Sequence, residues 1–464
     1  MDILSAAAKG GVSVKSYEQI PKAHGSKAVM LDCGSGETGV YTFSKVPASH
    51  GELVPTMAGA KFSGSLWDFV SKHVEEGCGS RQAIEFAEHI VSRVEELAQA
   101  SQADIHGGAA DVTVSIILGL TGINREAIIA SHRADDEETC FSEMLSEFLE
   151  DVTDHIEGVL CKDSVVLFRV FVPRGDQEAH FELAATRYLC KLMWPELEKM
   201  GMEHHTNKHI DNIYEEALRR RHVRDCNPDD GLTITDLRRV CRSVREQEAL
   251  RKKFKAFQNA QGVCDRASFQ AALDSDNALR SILVMPRLFK GVCSAGGGSM
   301  QLSILQRLSD DVELFSVPVG NTVPIKARRF SKPVTPEEID RWKQHVVHKI
   351  RECRLPNEST GKGMARGLFI CISAFYYAAR SAQLPERILS HREVEGALTH
   401  ALDNVDREDQ KTVANLCNTL TYITTVCDPE ESFFLFKRNW NYEGRDYTAT
   451  WALGWWLDSG DMVG

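Results

Sequence analysis

The chain runs to 464 residues, more than one hydrophobic core of ordinary size holds, so its length asks for two or three domains of about 150 residues each. With 43% hydrophobic and 26% charged residues, its composition is that of a water-soluble globular protein. The net charge of -12 excludes a broad basic face for nucleic acid or an anionic membrane, though not a phosphate site built locally from backbone N–H groups and a metal.

In chain order, residues 1–26 are small and polar and read as a loose leader. They lack a basic start followed by a sustained apolar stretch, so no signal peptide is expected. Lys27–Asp32 carries a short apolar run into Asp32-Cys33-Gly34-Ser35-Gly36, and the alternating Val40–Ser44 follows, which predicts a β-hairpin closed by a glycine turn. Residues 81–101 have apolar positions at helical spacing. Val112–Gly119 reads as a buried strand, 140–158 as an acidic amphipathic helix, Val165–Val172 as another buried strand and 178–200 as helix. Strands alternating with helices predict α/β layers. Residues 205–285 break that rhythm with polar, helical sequence and the basic run Arg219-Arg220-Arg221, a solvated helix face. The alternation resumes at Leu288–Gln301 with a second strand and glycine turn. The C-terminal third is helix-rich and ends in the aromatic segment Tyr447–Leu457, whose Trp451, Trp455 and Trp456 read as core.

The longest apolar run, Gly367–Ala379, falls short of the roughly 20 residues that a membrane-spanning helix needs. Thirteen scattered cysteines, with no Cys-x-x-Cys pair and no zinc-type spacing, read as reduced thiols acting as small apolar residues. The expected location is the cytoplasm, or the secretory pathway if the N-terminus is incomplete.

The two glycine turns carry the chemistry. A hairpin turn rich in glycine lets several backbone N–H groups point into one concavity, which binds an anion. In Asp32–Thr38 the glycines Gly34 and Gly36 bring the backbone close, the hydroxyls of Ser35 and Thr38 can donate, and Asp32 can hold a metal through water. Gly296-Gly297-Gly298-Ser299-Met300-Gln301 repeats the design far along the chain, so two lobes clamping one phosphate chain are expected.

These residues resemble the apyrase family, the nucleoside triphosphate diphosphohydrolases, and more distantly the exopolyphosphatases, of the actin–hexokinase superfamily. Asp32, Gly34, Ser35, Thr38 and Tyr41 match the first family region. Leu118, Gly119, Thr121 and Arg125 match the second, and FRVFVPRGDQEAHFELAATRYL resembles the third, with Glu178 in the key place. Gly296, Gly297, Ser299 and Gln301 match the fourth, and Phe375-Tyr376-Tyr377, Leu416-Cys417, Tyr422-Ile423 and Thr450–Gly454 resemble the C-terminal landmarks. The resemblance implies a two-lobed, actin/hexokinase-like α/β fold. Its expected parts are a first lobe over 27–165, a second lobe over 166–204 and 286–440, a helical insertion over 205–285 and a segment 441–464 returning to the first lobe. It implies hydrolysis of nucleoside tri- or diphosphates with a divalent cation, Mg2+ or Ca2+. Glu178 would activate the attacking water, Thr121, Ser299 and Gln301 would help place it, Asp32 would serve the metal through water, and Arg125 would meet a phosphate or brace its loop.

Three positions depart from the pattern. Ser294 stands where the family has an aspartate, Glu37 adds a carboxylate inside the first turn, and Met300 replaces a threonine. They keep open a second reading, an impaired relative that binds a nucleotide or a protein partner. For Glu178 itself, an exposed acid favouring the helix dipole is the alternative.

Within the insertion, Asp225-x-Asn227-x-Asp229-Asp230-Gly231 resembles an EF-hand loop, with Asp236 in the last ligand position. A second copy at Phe254–Leu273 keeps the frame Phe254, Phe257 and Phe269 but not the ligands. Weak calcium binding at Asp225, Asn227, Asp229 and Asp236 is one expectation, a plain helical insertion the other, and this insertion is the expected surface for a protein partner. His204, His205 and His209 read as surface histidines.

Overall fold

The computed structural model describes residues 2–4, 13–15, 27–33, 37–47, 53–63, 66–76, 81–104, 114–121, 141–159, 166–220, 231–241, 247–248, 250–252, 258–259, 262–276, 279–280, 283–284, 288–295, 299–305, 312–318, 333–355 and 364–459. A first sheet is built from β1 (Asp2–Leu4), β2 (Ser13–Lys15), β3 (Lys27–Cys33), β4 (Glu37–Pro47), β5 (Leu53–Ser63), β6 (Val114–Leu120) and β7 (Val166–Phe171), in the order β2-β1-β7-β6-β3-β4-β5. A second is built from β8 (Phe289–Ala295), β9 (Ser299–Leu305), β10 (Val312–Pro318), β11 (Ala365–Cys371), β12 (Leu389–Ser390) and β13 (Cys427–Phe436), in the order β10-β9-β8-β11-β13-β12.

The two sheets share one plan. In each, a meander of three antiparallel strands (β3-β4-β5 and β8-β9-β10) is followed by two strands running parallel to its first member (β6-β7 and β11-β13). Helices cover the outer faces. On the first sheet these are α1 (Leu66–Glu76), α2 (Arg81–Asp104) and α3 (Phe141–Val159). Between the sheets lies α4 (Gly175–Leu192). The insertion then contributes α5 (Glu203–Arg220), α6 (Ile234–Val240) and α7 (Arg266–Ser275). The second sheet is covered by α8 (Pro336–Glu352), α9 (Ala374–Ser381), α10 (His391–Asn404) and α11 (Gln410–Val426). A short hairpin, β14 (Asn439–Tyr442) with β15 (Arg445–Thr448), leads into α12 (Trp451–Ser459), which packs on α4.

The central strands are apolar on both sides because both sides are covered. In β3, Val29, Leu31 and Cys33 join the outer core while Ala28 and Met30 join the inner one. In the second hairpin, Cys293, Ala295, Met300, Leu302 and Ile304 face outward, and Val292 and Leu305 face inward. The period of two therefore puts Asp32, Ser294, Ser299, Gln301 and Ser303 on the inner faces, toward α4.

Two expectations are corrected. The leader is not uniformly loose: β1 pairs antiparallel with both β2 and β7, covering an edge of the first sheet that would otherwise leave backbone groups unpaired. The expected boundary at residue 165 also falls short, since β7 runs parallel to β6 in the first sheet. The helix expected over 178–200 is present with one break at Met193: α4 ends at Leu192, and helix resumes over Trp194–Leu197 and Glu198–Met202.

The insertion is not a detached module. Ile213, Tyr214, Leu237 and Phe269 belong to one buried core with Trp194 and Phe289. The loops before α6 and α7 are joined by two hydrogen bonds, Leu232 N–H to the Cys264 carbonyl at 2.7 Å and Cys264 N–H to the Leu232 carbonyl at 2.8 Å. Asp236 stands in the first turn of α6. It forms a capping box, accepting from Thr233 N–H at 3.0 Å and the Thr233 hydroxyl at 2.7 Å. Asp225, Asn227 and Asp229, and the side chains of His204, His205 and His209, lie outside the described residues.

Candidate active site

Two hairpins in one register frame the site. In the first, Cys33 pairs with Thr38 and Asp32 with Gly39; in the second, Ala295 pairs with Met300 and Ser294 with Gln301. Both leave four residues between the last paired positions, so Asp32 corresponds to Ser294, Glu37 to Ser299 and Gly39 to Gln301. On the first side, the Thr121 hydroxyl donates to Asp32 Oδ1 at 3.3 Å, and Thr121 N–H bonds the Cys33 carbonyl at 3.2 Å. On the second side, Gln301 Nε2 donates to Ser299 Oγ at 2.7 Å, and both residues are buried.

Helix α4 delivers the acids. Its start is fixed by Arg174 N–H bonding the Gln177 side chain at 2.9 Å and by Glu178 N–H bonding the Arg174 carbonyl at 2.9 Å. The Ser303 hydroxyl donates to the Ala179 carbonyl at 2.7 Å, which ties the first turn to β9. From the other side α12 presses Gly454 against α4: a Cβ there would lie 1.7 Å from the Phe181 carbonyl oxygen. Glu178 is therefore buried, 9% exposed, and is not an exposed acid at a helix start. Asp176, two residues earlier, is held below the usual carboxylate range mainly by its hydrogen bond with Arg174.

One turn beyond Glu178, Glu182 is 4% exposed. The Ser294 hydroxyl donates to its Oε1 at 2.7 Å, while its buried Oε2 has no hydrogen-bond partner among the described residues. Burial pushes its carboxyl well above the usual range, the charge of Glu178 adds to the rise, Ser294 opposes it and Asp32 adds further. Glu178 on the same helix and Asp32 on β3 thus both act on Glu182.

Of the residues expected at the site, Asp32 and Thr121 are brought together, as are Ser299 and Gln301, with Glu178 one turn before Glu182, which Ser294 bonds. Thr38 is different. It is fully buried and its side chain hydrogen-bonds the Cys33 thiol, so the expected hydroxyl contact with phosphate is spent inside the first lobe. Met300 is explained by register: it faces the outer core and is fully buried. Gly34, Ser35, Gly36, Arg125, Gly296, Gly297 and Gly298, and the side chain of Glu37, lie outside the described residues. Glu182 was missed by sequence reasoning. The available signal was its spacing of four from Glu178, which puts two acids on one helix face.

The nine described cysteines are all free. Burial raises the thiol pKa of Cys33 and Cys371 strongly and that of Cys264 to about 11, which makes them poor nucleophiles. Trp455 and Trp456 are core, Trp456 stacking on Phe43 at 5.6 Å. Among the described residues no helix is long and apolar enough to cross a membrane.

Two sheets of one strand plan, with a buried helix between them and matched hairpins at the inner face, make this a two-lobed actin/hexokinase-like α/β fold. No protein-family model matches the chain, and none of the curated proteins does. Among solved structures it is similar to a PPX-GPPA enzyme of Aquifex aeolicus, at 14% identity and a TM-score of 0.41 over 88% of this chain and 95% of that one. An exopolyphosphatase-like protein overlaps at 13% identity and a TM-score of 0.42, over 94% and 98% of the two chains. An exopolyphosphatase from Cytophaga hutchinsonii overlaps at 9% identity and a TM-score of 0.39, over 88% and 93%. Likeness at this level says nothing of substrate or reaction.

Proposed function

We propose that the chain hydrolyses the terminal phosphoanhydride bond of a nucleoside tri- or diphosphate in the manner of an apyrase. The observation that carries this reading is the matched pair of hairpins. They present Asp32 with Thr121 on one side and Ser294, Ser299 and Gln301 on the other, with Glu178 buried on the helix between.

In this reading the backbone around Gly34, Ser35 and Gly36 and around Gly296, Gly297 and Gly298 cradles the phosphates. Glu178 takes a proton from the attacking water, which Thr121, Ser299 and Gln301 help orient. Arg125 meets a phosphate or braces its loop. A divalent cation, Mg2+ or Ca2+, is implied by the gathering of negative charge. Among the described residues no three acid, His or Cys side chains converge closely enough to bind an ion directly. The donor set nevertheless fits a hydrated ion, because acids that raise one another's titration, one of them buried with an oxygen lacking a partner among the described residues, call for positive charge. Asp32 would hold such an ion through water, and when bound it spreads the charge of the transferring phosphoryl group.

The test is phosphate release from ATP, ADP, GTP, UDP and inorganic polyphosphate with Mg2+ or Ca2+, for the wild type and Glu178→Gln. Turnover of a nucleotide that falls at least a hundredfold in the variant, about 2.7 kcal/mol of barrier, upholds both the activity and the base. Release from polyphosphate alone replaces the nucleotide by a polymer. No release from any substrate, with ATP still raising the melting temperature, makes the chain a nucleotide-binding protein without turnover.

A further inference from the structure

The two hairpins match in register but not in charge. The first places a carboxylate, Asp32, one position before its last paired residue; the second places a neutral hydroxyl, Ser294, in the corresponding position. The second lobe nevertheless has a carboxylate at that spot. Ser294 Oγ donates to Glu182 Oε1 at 2.7 Å, so the carboxyl group reaches the inner face of β8 from helix α4, 112 residues earlier in the chain. The position on α4 is well fixed, since the Ser303 hydroxyl bonds the neighbouring Ala179 carbonyl and Gly454 of α12 closes on Phe181.

Glu182 is not arranged as a structural acid. It is 4% exposed, one of its oxygens is bonded and the other has no partner among the described residues. The charged groups acting on it, Glu178 and Asp32, are both negative. A buried carboxylate with an open oxygen, under the charges of two further acids, is costly as it stands and is relieved by a proton or by a cation in front of it. The bonded oxygen is the one that fixes its direction; the open one is the one left for an ion or its water.

We propose that Glu182 supplies the second lobe's carboxylate to a divalent-cation site shared with Asp32, with Ser294 as the residue that positions it. The carboxylate corresponding to Asp32 is thus present in space but carried by the interlobe helix. An ion held by one acid from each lobe's inner face would draw the hairpins toward a common ligand. The assignment rests on the metal-assisted reading of the site, but it concerns metal binding alone and is tested without nucleotide or turnover.

The experiment is Mn2+ titration followed by electron paramagnetic resonance and calorimetry, on the full chain, for the wild type, Glu182→Gln, and the exchange Glu182→Ala with Ser294→Asp. Thermal melting confirms that each variant is folded. The expected result is wild-type binding, at least a tenfold loss of affinity in Glu182→Gln, and recovery to within about threefold of wild type in the exchange variant, which returns the carboxylate to β8. A wild type that binds no Mn2+, or a folded Glu182→Gln variant that binds like the wild type, overturns the assignment. So does an exchange variant that folds but binds no better than Glu182→Gln. If Glu182→Gln does not fold, the exchange variant alone decides, by binding or failing to bind. A chain that binds Mn2+ through Glu182 yet releases no phosphate upholds this inference and removes the hydrolase reading.

Discussion

Asp32 and Ser294 occupy the same register position in two hairpins of one design, and each is hydrogen-bonded by or to a residue from elsewhere: Asp32 accepts from Thr121, whereas Ser294 donates to Glu182. That pairing predicts the outcome of Ser294→Asp alone. A carboxylate placed against Oε1 of Glu182 replaces a 2.7 Å hydrogen bond with like-charge contact in a buried place. The single variant should lose about 3 kcal/mol of stability in metal-free buffer and regain part of it with Mn2+. Chemical denaturation with and without the ion checks this. A variant as stable as wild type in EDTA would contradict the buried contact.

The converse change should stabilise. Glu182→Gln keeps the shape and an acceptor for Ser294 but removes the charge that Glu178 and Asp32 oppose. The amide variant should be more stable than wild type in EDTA at neutral pH, because folding raises the titration of the carboxyl and the amide has none to raise. The order of the two melting temperatures should narrow or reverse when Mn2+ is added, since only the wild type gains from the ion. Parallel melts in EDTA and Mn2+ measure it.

The strands of the two hairpins, the α/β alternation and the helix carrying Glu178 were legible because each depends on neighbours in the sequence. Asp32–Thr38 and Ser294–Gln301 announce a strand and a glycine turn locally, and the two-residue period then fixes which side chains face inward. Glu182 was not legible because its partner Ser294 lies 112 residues away in the chain and only the fold brings the two together. Thr38 misled for a similar reason. Its residue type suits a phosphate turn, but the strand parity places it with Cys33 and Val40 toward the outer core. Asp236 has the right type at an EF-hand spacing, and a second role, capping α6 through Thr233 three residues earlier, became visible only in the fold.

The capping geometry of Asp236 gives a prediction for the insertion. Asp236→Ala removes the acceptor of both the Thr233 N–H and hydroxyl, so α6 should lose about 1 kcal/mol. The loss should be equal in calcium and in EDTA. Denaturant titration in the two buffers measures this, and a loss seen only with calcium would make Asp236 a ligand instead of a cap.

Acid should weaken one helix start on the second lobe. Glu393 accepts from Ser390 N–H at 2.8 Å and from Arg387 at 2.7 Å, and its carboxyl is lowered to about 2, first by the Ser390 backbone bond. A carboxyl lowered on folding contributes stability that is present above its unfolded value of about 4.5 and lost as pH falls toward 2. The stability difference between wild type and Glu393→Gln should therefore be constant above pH 5 and shrink between pH 4.5 and 2. Denaturation of both proteins across that range checks the sign.

The final prediction concerns how the C-terminal helix holds the site. A Cβ at Gly119 would lie 2.1 Å from Cη2 of Trp451, the first residue of α12, and Gly119 stands two residues before Thr121. Gly119→Ala must push the buried indole, and with it α12, away from β6. The expected cost is about 1–3 kcal/mol, accompanied by a fall in phosphate release larger than any rise in KM, because α12 holds the helix that carries Glu178. Trp451→Phe removes the ring atoms that clash, so the double variant should recover most of both losses even though Trp451→Phe alone destabilises. A double-mutant cycle on stability and on turnover tests this coupling. Additive losses would mean that Gly119 is needed for its strand geometry and that α12 does not set the position of the helix carrying Glu178.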